Sequence, residues 1–68
     1  MSKYLEFTTI EHKPKTVKVA VESKTTGHRL GIIMWYAPWR QYAFFPNIDT
    51  TFNTECLNDI IIHIKGLR

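Results

Sequence analysis

The chain lacks most of the devices by which small proteins are stapled, tagged or made catalytic. A single cysteine, Cys56, in 68 residues excludes an internal disulfide and suits a reducing compartment. The three histidines, His12, His28 and His63, are too scattered for the Cys-x-x-Cys or His-x-x-x-His spacing of a zinc site. Three glycines form no phosphate-cradling loop, and neither paired carboxylates nor a nucleophile elbow is present. No enzyme activity, cofactor, metal or small-molecule substrate is therefore expected. No apolar run approaches the ~18 residues of a membrane span. The opening residues, Met1 to Thr9, lack the apolar core of a signal peptide. These absences point to a cytoplasmic chain with no membrane partner.

What is present is the composition of a folded domain. The chain is 44 % hydrophobic and 22 % charged, which argues against a disordered tail. A length of 68 residues implies one domain, 1–68, near the lower limit for stability from a hydrophobic core alone. Self-association is a candidate source of the missing stability. Nine Lys and Arg against six Asp and Glu give a net charge of +3, too mild to single out nucleic acid.

Residues 35 to 46 are the densest feature. Trp35, Tyr36, Trp39, Tyr42, Phe44 and Phe45 place six of the nine aromatic residues around one turn. One small core has difficulty enclosing so many rings, so part of this surface is expected to meet something else.

The pattern around this run reads as three to four strands and then one helix. The first strand spans about Tyr4 to Ile10 and breaks at His12-Lys13-Pro14-Lys15, where Pro14 lacks an amide donor. Thr16 to Glu22 alternates Val17, Val19 and Val21 with polar or small residues, the period of a half-buried strand. A turn at Thr25-Thr26-Gly27 leads to a third strand, Leu30 to Tyr36, and Ala37-Pro38 turns the chain into a fourth. That strand starts at Trp39 or Arg40 and ends at Phe45 before Pro46. After a loop, Asn53 or Thr54 can cap a helix carrying Leu57, Ile60, Ile61, Ile64 and Leu67 as an apolar stripe, with Gly66 as its C-terminal cap. The expected fold is α+β: an antiparallel four-stranded β-meander with one C-terminal helix packed on one face, β-β-β-β-α.

Strand parity then divides the aromatic residues. A two- or four-residue loop at Ala37-Pro38 puts Gly31, Ile33, Trp35, Arg40, Tyr42 and Phe44 on one face. Leu30, Ile32, Met34, Tyr36, Trp39, Gln41, Ala43 and Phe45 fall on the other. A three-residue loop at Gly27, pairing Lys24 with His28, joins the valines to the first set, which then packs under the helix. A two-residue turn there exchanges the faces. Under the first arrangement Ile32, Met34, Tyr36 and Trp39 anchor an open face for a protein partner or a second copy. The alternative is that the rings are structural, wrapping the sheet edge or packing under the loop before the helix.

A second candidate surface is basic. The first and third turns lie at the same end of a meander, and a returning helix brings its C-terminus there. Lys13, Lys15, Arg40, Lys65 and Arg68 would gather beside Trp39, a combination able to hold phosphates and stack bases. Arg40 has a structural reading too, as a cation stacked on Trp35, Trp39 or Tyr42. Cys56 reads as a small helix residue, and His63 as a surface partner of Asp59 one turn earlier.

The run from Leu30 to Pro46, followed by Thr51-Phe52 and Cys56-Leu57-Asn58-Asp59-Ile60, resembles a family of short bacteriophage and prophage proteins. Their mark is a WY-x-PWRQY-x-FFP core before a C-terminal helix. The resemblance covers about residues 16 to 65. It implies phage origin and a bacterial host cytoplasm, and transfers no site residues because no activity is attached to the family. The combined expectation is a non-enzymatic phage accessory protein that binds itself or a host or phage protein; the alternative is a nucleic-acid-binding module.

Overall fold

Alternating apolar residues and three short turns fold the chain into a meander, seen in a computed structural model that describes residues 4–67. The strands are β1 (Leu5–His12), β2 (Val17–Ser23), β3 (Arg29–Tyr36) and β4 (Gln41–Pro46). They form one antiparallel sheet in the order β1-β2-β3-β4. A 3₁₀ turn, Ala37–Trp39, joins β3 to β4, and the helix α1 (Thr54–Gly66) follows. The α+β meander with a C-terminal helix packed against the sheet is the architecture expected from the sequence.

The helix covers the face that carries the valines. Leu5, Val19, Val21 and Ile33 are buried with Cys56 and Ile60, and Phe7, Tyr42 and Phe44 pack around them. Phe7, Val21, Gly31 and Pro46 form one cross-strand row, and Thr9, Val19, Ile33 and Phe44 the next. Gly31 leaves the space that Phe44 fills: a Cβ there would lie 2.7 Å from two atoms of its ring.

The expected faces arise by a different route at the β2–β3 turn. Instead of a three-residue loop, Ser23 N–H donates to His28 O (2.9 Å) and Gly27 N–H to Ser23 O (2.8 Å), closing a four-residue loop with Gly27 at φ +78°. Such a loop alone would exchange the faces. A bulge corrects it, because Val21 pairs with Gly31 but Glu22 pairs with Arg29. Leu30, the extra residue, packs against the core, not on the open face where strict alternation put it.

Other details depart from simple periodicity. A bulge between Thr9 and Glu11 extends β1 past Ile10 to His12. Arg40 does not belong to β4. It closes the 3₁₀ turn in the left-handed region (φ 53°), donating its N–H to Ala37 O at 3.1 Å. Trp35 is on the helix side but 42 % exposed, so it lies at the rim of the core.

Asn53 Oδ1 accepts from Cys56 N–H at 2.8 Å, starting the helix as an N-cap. Gly66 is the last helical residue, not a left-handed cap; Leu67, itself in the right-handed region, donates to Ile64 O. The buried stripe is rotated from the expected one. Cys56 and Ile60 point inward, and Leu57, Ile61 and Ile62 are exposed. Among the described residues, no helix is long and apolar enough to cross a membrane.

Candidate functional site

Opposite the helix, the sheet presents the residues that parity assigned to it. One row reads Thr8, Ala20, Ile32 and Phe45; further along, Met34 pairs with Ala43 and Tyr36 with Gln41. Ile32, Met34, Tyr36 and Phe45 are each half-buried. Among the described residues, no element packs over them. Tyr36 and Phe45 cover part of one another by edge contact.

The rings on this face form a chain. Tyr36 meets Trp39 edge-on, with centroids 4.8 Å apart and planes at 81°. On its other side it meets Phe45 at 5.9 Å and 65°. Tyr36 and Phe45 are separated by Ala43 in the ladder, and the small methyl group leaves room for the two rings to lean together. Trp39, carried beyond β3 by the 3₁₀ turn with Pro38 in its first positions, is 65 % exposed. Edge-to-face pairs favour a fixed ring arrangement, so this apolar surface is preorganised. The structure therefore brings Ile32, Met34, Tyr36 and Trp39 onto one side of the molecule.

The remaining aromatic residues of the run serve the covered side. Trp35 and Tyr42 are register partners in edge contact at 5.5 Å, and Tyr42 Oη accepts from Val17 N–H at 3.1 Å. Phe44 meets Phe52 edge-on at 5.3 Å. About half of the run is thus structural, as one of the two readings held for all of it.

The basic residues are gathered less tightly. Lys13 and Lys15 in the β1–β2 turn and Arg40 after the 3₁₀ turn share one end of the meander and are exposed. Lys65 is exposed in the last turn of α1, and Arg68 lies outside the described residues. Lys13 Nζ is 3.7 Å from Glu11 Oε2, and Lys18 Nζ is 3.2 Å from Glu11 Oε1. The Lys18 hydrogen bond and charge, aided by Lys13, hold the Glu11 carboxyl below its ordinary value. The Arg40 side chain makes no ring contact or ion pair with the described residues, so the expected stacking on Trp35, Trp39 or Tyr42 is absent there.

Sequence reasoning missed Glu11 as the link between two lysines. The bulge at Ile10 moves it onto the open face beside Lys18, a shift that no alternation pattern reveals. It also misplaced His63. That imidazole stacks flat on Phe7, with centroids 4.3 Å apart and planes at 8°, and burial pushes its pKa down. Nearby, β1 and α1 enclose an open groove of about 610 Å³ lined by Leu5, Glu6, Phe7, Lys24, Asp59, Ile62 and His63. In comparisons with known proteins, no family model, curated protein or solved structure matches this chain.

Proposed function

We propose that this protein is a non-enzymatic binding module that makes protein–protein contact, with a partner or with itself, through the open face of its sheet. The carrying observation is the ring chain Trp39–Tyr36–Phe45 beside Ile32 and Met34, on a side that no described element packs against. Aromatic residues with fixed neighbours bury large area at little entropic cost, which is why they dominate contact surfaces. The likeness of the WY-x-PWRQY-x-FFP core to phage proteins supports a phage accessory role in a bacterial host cytoplasm. Wild type and Met34→Glu, both verified as folded by circular dichroism, are compared in capture from nuclease-treated host lysate and in self-association. The expected result is loss of the specific contacts in the variant. Unchanged contacts in a folded Met34→Glu protein would remove the open face from the reading.

A second reading rests on Trp39, the most exposed of the rings at the end that also carries Lys13, Lys15 and Arg40. Single-stranded nucleic acid is held by such pairs of stacking and basic groups. It requires retention on DNA or heparin at low salt that weakens in Arg40→Ala and Lys15→Ala. Passage of the wild type through both columns at low salt would eliminate it.

A further inference from the structure

We propose that the outer edge of β1 docks an extended peptide segment of another protein. The segment adds a fifth strand to the sheet and lays alternate side chains into the groove between β1 and α1. Backbone direction carries the inference. Lys24 N–H donates to Tyr4 O at 3.0 Å, which fixes the parity of the ladder. Tyr4, Glu6 and Thr8 exchange backbone bonds with β2, and Leu5, Phe7 and, up to the bulge, Thr9 direct theirs away from it. β1 is an edge strand, and the outward N–H and C=O of Phe7 have no partner among the described residues. Such an edge is complemented by another extended backbone. The other edge is poorer in donors, because β4 ends in Pro46, whose nitrogen carries no hydrogen.

The groove gives the added strand a place for its side chains. It runs beside the same edge, holds about 610 Å³ and has Leu5, Phe7 and Ile62 as its apolar lining. That volume lies within the range of ligand-binding clefts. The flat stack of Phe7 on His63 ties β1 to α1 and sets the width between them. Glu6 and Asp59 line the groove against one cation, Lys24, so phosphate-rich partners are disfavoured and a peptide carrying a lysine or arginine is suited. A second copy fits less well. Edge pairing about a two-fold axis sets the same hollow against its equivalent and leaves both unfilled, whereas a single strand occupies it.

The probe is the peptide acetyl-Lys-Val-Thr-Val-Thr-Val-Lys-amide, titrated into the isotope-labelled full chain and followed by amide NMR shifts. Backbone pairing tolerates many sequences, so this one peptide is a sufficient test. Saturable binding is expected with Kd between about 10 μM and about 1 mM, with shifts at residues 5–9 and 59–63. A synthetic chain methylated on the Phe7 nitrogen keeps its bonds to β2 and should bind at least about tenfold more weakly. Ile62→Asn, a change at an exposed position, should weaken binding at least about threefold. Circular dichroism verifies that both variants are folded. Absence of shifts up to about 5 mM peptide overturns the proposal, as does a folded Phe7-methylated chain that binds like wild type. Unchanged binding in Ile62→Asn removes the groove. Shifts confined to Ile32, Met34 and Tyr36 would move the peptide to the open face. Concentration-dependent shifts at residues 5–9 without peptide would make the occupant a second copy, and both results overturn the proposal.

Discussion

Gly31 is kept small by its neighbours. A Cβ there would meet the Phe44 ring and, at 2.7 Å, the Phe45 carbonyl oxygen. A ring tip can yield, but a ladder carbonyl moves only with its strand. Gly31→Ala should cost about 1–3 kcal/mol of overpacking strain, read as a lower urea midpoint with an unchanged slope. Arg40 presents the reverse case, a side chain held at φ 53° where glycine suffers no steric penalty. Arg40→Gly should stabilise the fold by about 0.5–1 kcal/mol, the lost left-handed strain being partly offset by unfolded-state entropy. His63 supplies a pH dependence. Burial lowers its pKa from 6.5, so the unfolded chain takes up the proton first. Stability present above pH 6.5 is lost as pH falls toward the lower folded value. Thermal melts across that window should decline for wild type and flatten in His63→Phe, which keeps the flat stack on Phe7 without a proton site.

At the scale of elements, the helix tests its own rotation. Ile60 is 3 % exposed and Ile61 is 49 % exposed, although both belong to the stripe expected from steps of three and four. Ile60→Ala should cost about 2–5 kcal/mol as a cavity mutation. Ile61→Ala should cost less than about 1 kcal/mol, and chemical denaturation separates them. The expected stripe leaves out Cys56; including it with Ile60, Ile64 and Leu67 turns the buried face away from Leu57. The strands were more legible. Val17, Val19 and Val21 fixed a period of two, and Pro14, Gly27 and Pro38 marked the turns. Bulges are what alternation cannot express: Leu30 entered the core and Glu11 crossed to the open face, each through one inserted residue. The face assignment came out as expected only because the four-residue loop and its bulge offset one another. For the candidate site, parity placed Ile32, Met34 and Tyr36 together, while the contact of Trp39 with Tyr36 depended on a 3₁₀ turn that the Ala37-Pro38 signal left open.

For the whole molecule, the decisive asymmetry is that one helix shields one side of a sheet with two apolar sides. Among the described residues the buried apolar side chains are few, namely Leu5, Val19, Ala20, Val21, Ile33, Cys56 and Ile60, and Ala20 belongs to the uncovered side by register. A polar replacement in the middle of that side should therefore be tolerated by the fold while abolishing contact. Met34→Glu is expected to shift the melting temperature by only a few degrees and to lose association. A protein unfolded by that substitution would instead assign Met34 to the core.

Every strand of the sheet pairs with its neighbour in sequence, whereas the helix reaches back to Phe7 from the far terminus. Hairpins of this kind close over short loops and form early, so during synthesis the ladder can assemble before its lid has left the ribosome. Until α1 docks, the emerging chain shows Val19, Val21 and Ile33 on one surface and Met34 and Tyr36 on the other. It is then most vulnerable to aggregation and most in need of a chaperone.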